Sequence, residues 1–362
     1  MKDRKYFLGL AQTGKLTHRR LELIKSFFSD YKEAWEADKF SFLQAGFSGK
    51  EAIEFCEKKS LLDPDLEMEK MLKLGADILS SDDDNYPLRL REIHSPPPFL
   101  FIKGKLKAED DLSLAVVGTR LLSEYGKRIT KEFSEEIAEK GITIVSGLAL
   151  GADSLAHKGA LSKNSRTIAV IGSGLGNIYP TENIKLAEEI VRQDKGAVLS
   201  EFPLLSSPEK QNFPIRNRTV SGISRGVLVT EAPERSGALI TAKIALDQNR
   251  DVFAIPGNIF SKKSTGTNHL IRDLNAKLVS KPLDILKDFG IEMDQENNKN
   301  QKREDLSRQE ADILCLLETE PIHINDIVRK SQKSAGEISS TLSMLEIKGF
   351  VQNSAGMMWG RR

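Results

Sequence analysis

The sequence predicts a doubly wound, mostly parallel α/β sheet as the body of the chain, with a helical N-terminal domain before it and a C-terminal winged-helix domain after it. Three observations carry that expectation. Six short β-branched runs, "SLAVVG", "ITIVSG", "TIAVIG", "AVLSEF", "GVLVTEA" and "DVFAIPG", follow one another from residue 113. They are apolar throughout rather than alternating, as strands covered on both faces are. Helical patterns stand between them, and most of the runs end on small residues where a crossover to a helix is needed.

Taken in order, residues 1–80 read as all-helical, with helical apolar spacing in "LTHRRLELIKSFF" and "EAIEFCEKKSLL" and no strand pattern. The first boundary falls in "SSDDDNYPLRLREIHSPPPFLFIKG", where Pro96, Pro97 and Pro98 forbid a helix. Residues 81–288 are expected to form the doubly wound α/β domain. Its first helix opens on Ser123 as a cap, carries Ile129, Phe133 and Ile137 on one face, and stops at Gly141. Residues 289–303, "FGIEMDQENNKNQKR", have little to pack and read as a linker. In 304–362, Ser307 with Glu310 and Ser334 with Glu337 make two capping boxes ahead of apolar helices, and "FVQNSAGMMWG" makes a hairpin. Three helices and a hairpin suggest a winged helix. Nine basic and nine acidic residues from Lys302 to Arg362 favour a protein-contact role for it over a major-groove reader.

With 39% hydrophobic and 29% charged residues over 362 positions, the chain reads as a soluble protein of two or three domains. No apolar run reaches membrane-spanning length, and the N-terminus lacks the apolar core and cleavage site of a signal peptide, which places the protein in the cytoplasm. Cys56 and Cys315, far apart in helical patterns, are expected to be buried thiols rather than a disulfide. A net charge of +1 means that any nucleic-acid binding must rest on a local patch.

Catalytic motifs do not survive their context. "GSGLGN" lacks the last glycine of a dinucleotide fingerprint and follows the third strand rather than the first. "GISRG" resembles a nucleophile elbow around Ser224, but a helix precedes it and a strand follows, the reverse of what an elbow needs. The histidines are scattered, and His157, four residues after Asp153, suits a local polar contact better than a metal site. No cofactor, metal or catalytic residue is expected.

The loops after the strands can do something else. Gly118-Thr119-Arg120, Ser146-Gly147, Gly172-Ser173-Gly174, Ser236-Gly237 and Pro256-Gly257-Asn258 leave backbone N–H groups beside helix starts, which suits phosphate. In "FPIRNRTVSGISRGVLVTEAPERSGALITA", Arg216, Arg218, Arg225 and Arg235, with Lys243 just beyond, outnumber Glu231 and Glu234. Several such loops on one rim suit a polyphosphate chain.

From "GADILSSDDDNYPLRLREIHSPPPFLFIKG" through "AVVGTR", "SGLALGADSLAHKGAL", "TIAVIGSGLGNIYPTEN", "VLSEFPL", "FPIRNRTVSGISRGVLVTEAPERSGALITA" and "VFAIPGN" to "NHLIRDLNAKLV", the chain resembles the DNA-processing protein A (DprA, or Smf) family. The resemblance implies a single-stranded DNA binder that passes its strand to the recombinase RecA in natural transformation and pairs as a homodimer through the Rossmann-like domain, without membrane attachment. It implies that Arg120, Arg216, Asn217, Arg218, Arg235, Ser236 and Gly237 line the strand pocket, with Lys185 after "YPTEN" a further candidate. Members often carry arginine where this chain has Leu150 and Ile215, and the N-terminal "LGLAQTGKLTHRRL" lacks the paired glycines of a helix-hairpin-helix. The alternative is a Rossmann-like enzyme or sensor for a nucleotide or nucleoside phosphate, although "ERSGALITA" lacks the PGGxGTxxE-type loop of the phosphoribohydrolases.

Overall fold

Six short helices open the chain in the computed structural model, which describes residues 4–192, 194–274, 276–291, 306–317, 321–354 and 357–361. They are α1 (Arg4–Gln12), α2 (His18–Phe27), α3 (Tyr31–Glu36), α4 (Lys39–Gln44), α5 (Gly49–Ser60) and α6 (Pro64–Lys73). Thr17, Asp30, Asp38, Ser48 and Asp63 cap the last five, each accepting an N–H from the first turn. Their apolar faces do not close on themselves. Phe7, Leu8, Phe42 and Phe55 share one core with Phe99, Phe101, Ala169 and Val198 of the sheet. The change near residue 80 is thus one of secondary structure, and the core runs through it. The chain divides into Met1–Phe289 and Gly290–Arg362.

The first unit continues with β1 (Asp77–Ser80), α7 (Leu88–Arg91), β2 (Phe99–Gly104), β3 (Ser113–Val117), α8 (Glu124–Glu139), β4 (Thr143–Ser146), α9 (Ala152–Ser162), β5 (Thr167–Ile171), α10 (Ile184–Arg192) and β6 (Gly196–Ser200). It closes with α11 (Asn212–Ile223), β7 (Gly226–Val229), α12 (Gly237–Asp247), β8 (Asp251–Ala254), α13 (Thr265–Asp273), β9 (Lys277–Leu278) and α14 (Pro282–Asp288). The order across the sheet is β1-β2-β6-β5-β4-β3-β7-β8-β9, parallel from β6 to β9. The six apolar runs are β3 to β8, and every residue of β3 to β7 is buried, as a sheet with helices on both faces requires.

Two local readings need correction. The proline-rich stretch expected to be turn contains β2, antiparallel to both β1 and β6. Phe99 and Phe101 enter the core shared with the N-terminal helices, whereas Leu100 and Ile102 enter the core on the other face. The "FPIRNR" arginines, grouped above with the phosphate-binding loops, sit on α11, the helix expected ahead of the strand. Pro214 is tolerated as its third residue because the first-turn N–H groups have no intrahelical acceptor.

In the second unit, α15 (Arg308–Leu316), β10 (Ile322–His323), α16 (Ile324–Ser331) and α17 (Ala335–Ile347) precede the hairpin of β11 (Val351–Ser354) and β12 (Met358–Arg361). The strand order is β10-β12-β11, the sheet of a winged helix. Both capping boxes form. Ile313, Ile327, Ile338, Leu342, Leu345 and Trp359 make the core. Cys315 is exposed rather than buried because it lies about 200° around α15 from buried Ile313, and Cys56 is half-buried. Of the expected linker, residues 292–303 lie outside the described ones. Phe289 belongs to the first unit, packed edge-on to Phe253 at 6.0 Å. Among the described residues no helix is long and apolar enough to cross a membrane, and no group of three or more His, Cys, Asp or Glu could hold a metal.

Candidate nucleic-acid interface

The strand order places a crevice. From β3 the chain winds outward through β4, β5 and β6, then returns to lay β7 on the other side of β3. The carboxyl ends of β3 and β7 are therefore the topological switch point, where diverging loops leave an opening. A cavity of about 310 Å³ lies there, lined by Gly118, Thr119, Arg120, Leu121, Gly147, Phe213, Arg216, Asn217, Arg235, Ser236 and Gly237 among others.

Small residues bring the loops this close. A Cβ on Gly118 would stand 2.7 Å from Ala152 Cβ, so the first turn of α9 can approach only a glycine. Thr119 N donates to Glu231 O at 2.8 Å and Leu121 N to Thr119 Oγ1 at 3.3 Å, which fixes the loop from which exposed Arg120 projects. Across the cavity, the Phe213 ring centroid lies 5.7 Å from the guanidinium carbon of Arg120 and 6.0 Å from that of Arg216. The ring thus has two cations over it.

Arg216 is only 5% exposed; its Nη1 donates to Val170 O at 2.9 Å. Asp153 lies beside it, with Oδ2 accepting Gly147 N at 3.1 Å and Ala149 N at 3.3 Å. Burial pushes the Asp153 carboxyl above its usual range, opposed by Arg216 and these backbone donors. Burial also lowers the Arg216 guanidinium, which Asp153 opposes and Arg120 reinforces. Gly147 makes room for the pair, since a Cβ there would lie 1.6 Å from Arg216 Nη1. Beneath them His157 pairs with Thr167 rather than with Asp153, Nδ1 to Oγ1 at 2.6 Å. Thr167 Oγ1 gives its own proton to Ile144 O at 2.7 Å, so Nδ1 carries the imidazole hydrogen.

The opposite wall is the start of α12. Ser236 caps it, accepting Ala238 N at 3.3 Å, and nothing stands within 4 Å of where a Gly237 Cβ would be. Ser236 takes the N–H groups of Ala238 and Leu239, and Gly237 lines the cavity at the helix start beside exposed Arg235, a favourable setting for an anion.

Other expected site residues are elsewhere. Arg218, about 200° around α11 from Arg216, gives Nη2 to Glu201 Oε2 at 2.8 Å and Nη1 to Ser95 O at 2.7 Å. Ser146 is buried, its Oγ donating to Val116 O at 2.7 Å. The Gly172–Gly174 loop is covered by residues 203–206: Gly174 N donates to Ser206 O at 2.9 Å, and Gly172 O accepts Asn212 Nδ2 at 3.1 Å. Lys185 is exposed in the first turn of α10, outside the cavity lining. Lys243 lies in a second groove of about 1080 Å³ between α12 and α13. Arg225, at the amino end of β7, donates Nη1 to Phe289 O at 2.8 Å. Sequence reasoning missed Asp153 and Leu121 as lining residues; nothing short of the fold shows that Asp153 turns back under Gly147.

Comparison with known proteins shows relatives along nearly the whole chain. The profile of the family described as DNA recombination-mediator protein A matches residues 77–290, and that of the DprA winged helix domain matches 297–357. Protein Smf of Synechocystis is 35% identical over 99% of both chains, and the DNA processing protein DprA of Streptococcus pneumoniae is 44% identical over 57% of this chain and 72% of its own. A crystal structure of the S. pneumoniae protein superposes with a TM-score of 0.67 at 36% identity, covering 79% of this chain and 98% of that one. DNA processing protein A from Helicobacter pylori, solved for its single-stranded DNA binding mode, gives 0.53 at 32% identity over 59% and 95%.

Proposed function

Because this chain belongs to the DNA recombination-mediator protein A family, we propose that it is a non-enzymatic, cytoplasmic single-stranded DNA binder that holds its strand in the switch-point crevice and passes it to the recombinase RecA in natural transformation. The observation that carries this reading is the stack of Arg120, Phe213 and Arg216 facing the open start of α12. Guanidinium groups and helix N–H donors suit phosphates, and an aromatic ring between them suits a base. The binding mode for which the H. pylori relative was solved supports it.

Titration against single-stranded DNA, duplex and mononucleotides at two salt concentrations tests the reading. Single strands are expected to bind tightest, with little base preference. Duplex binding as tight as single-strand binding would remove it, and tighter mononucleotide binding would replace it with a nucleotide-phosphate enzyme or sensor. Arg120→Ala is expected to weaken all sequences alike and to reduce the salt slope by roughly 0.7. Arg218→Ala, by contrast, is expected to cost on the order of 2 kcal/mol of stability by stranding Glu201, with the salt slope of the remaining binding unchanged. A stable Arg120→Ala protein with parental affinity and slope would exclude Arg120 from the site.

A homodimer through the first unit is part of the proposal. The supporting surface is exposed Ile240, Ile259 and Phe260 with Leu278 of edge strand β9, whereas Leu270 is core and Leu274 packs on the core. Light scattering is expected to give a dimer at micromolar concentration, and Leu278→Lys with Phe260→Ser a monomer. A monomeric parent protein would end the claim.

A further inference from the structure

Glu231 follows β7 in the same basic stretch as Arg216 and Arg235, and by charge alone it opposes them. It is nevertheless 2% exposed, and both its carbonyl and its side chain serve one loop, residues 118–123, which joins β3 to α8. At the near end of that loop Thr119 N donates to Glu231 O at 2.8 Å. At the far end Ser123 gives its N–H to Glu231 Oε2 at 2.8 Å and its hydroxyl to Oε1 at 2.5 Å. The same Ser123 Oγ accepts Gly126 N at 3.0 Å, so the carboxylate also orients the cap of α8. Glu231 thus ties down both ends of the span 119–123, and Arg120 stands inside it. Among the described residues no hydrogen bond or ion pair holds the Arg120 guanidinium, which lies over the Phe213 ring at 5.7 Å. Its place therefore follows from where the loop holds its backbone.

A glycine makes room for this clamp. A Cβ on Gly126 would lie 2.4 Å from Glu231 Oε2 and 2.8 Å from its Cδ. Gly126 sits inside α8 and is not among the residues at positive φ, so its backbone does not call for glycine. Helix propensity favours alanine there, and the carboxylate is what excludes it. We infer that Glu231 is a positioning residue for Arg120: its carboxylate holds the β3–α8 loop so that the guanidinium is in place before a strand arrives. A loop held at one end only has to be ordered by the ligand, and that ordering weakens binding. The inference rests on the single-stranded DNA reading above and gives a supporting part to an acidic residue that charge counting sets against binding.

Fluorescence anisotropy with an oligothymidylate on the full chain, below the melting range of every variant, is the test. Glu231→Ala is expected to bind about fivefold more weakly, although it removes a negative charge near the crevice. Electrostatics alone predicts the opposite sign. Glu231→Gln is neutral too, but its amide can accept the Ser123 N–H and donate to Ser123 Oγ, so it is expected to recover most of the affinity. Gly126→Ala keeps the charge and displaces the carboxylate; it is expected to weaken binding by about threefold or more, and it decides the matter if Glu231→Ala does not fold. In an Arg120→Ala background neither Glu231→Ala nor Gly126→Ala should weaken binding further. Parental or tighter binding by Glu231→Ala and Gly126→Ala would leave Glu231 a helix cap and overturn the inference. A loss that persists undiminished without Arg120 overturns it as well. A parent protein that does not bind oligothymidylate at all sinks the single-stranded DNA reading itself.

Discussion

Gly147→Ala is expected to lower affinity for single-stranded DNA by at least about tenfold and stability by roughly 2–3 kcal/mol. The added methyl would stand 1.6 Å from Arg216 Nη1, 2.4 Å from its Cζ and 2.6 Å from Asp153 Oδ2. The backbone is not the obstacle, because Gly147 is not among the residues at positive φ. The guanidinium must therefore leave, giving up Val170 O and moving away from Asp153, a carboxylate that burial already disfavours. A displaced Arg216 would either fill the crevice or lose its place over Phe213, and either change removes binding. A double-mutant cycle with Arg216→Ala identifies the cause. If the clash is the mechanism, the double variant is scarcely worse than Arg216→Ala alone. Parental affinity and melting temperature in Gly147→Ala would show that the site does not depend on Arg216 being where it is.

The arginines show how far the sequence could be read. Arg216 and Arg218 are two residues apart and look alike as a pair in a basic stretch. Once that stretch is a helix they are about 200° apart, so one faces Asp153 and the crevice and the other Glu201. Spacing carries that information only once the helix is taken as running through both arginines from Asn212. The parallel strands were legible because double-sided burial leaves a continuous apolar run. β2 was not, because three prolines dominate the composition just before it, and its alternation matters only when both cores are present. Of the glycine loops read as phosphate sites, those of Gly118, Gly147 and Gly237 line the cavity and that of Gly172 to Gly174 does not. The amide of Gly174 meets Ser206, more than thirty residues away along the chain, a pairing that only the fold reveals.

Acidification is expected to destabilise the first unit through His157, beginning well above the range in which carboxylates titrate. Burial, with Arg216 nearby, pushes its pKa from 6.5 down to about 3. The unfolded chain therefore takes up a proton near pH 6.5 that the folded one refuses, and folding stability rises with pH between those values. The contribution is complete above pH 6.5 and is lost as pH falls, at about 1.4 kcal/mol per unit, so that roughly 2 kcal/mol is gone by pH 5. Asp153 acts in the opposite sense. Its folded pKa is raised, so its penalty grows as pH rises from the unfolded carboxyl value near 3.8, and it partly masks the histidine at the acid end. His157→Gln separates the two, since a neutral amide can still meet Thr167 but cannot titrate. Urea denaturation of both proteins at pH 7.5, 6, 5 and 4.5 is the measurement. The difference between their stabilities should shift toward the variant as pH falls below 6.5, by about 2 kcal/mol at pH 5 relative to pH 7.5. A difference independent of pH would mean that His157 takes up its proton in the fold as readily as in the unfolded chain, and the claim that burial keeps the imidazole neutral at low pH would have to be abandoned.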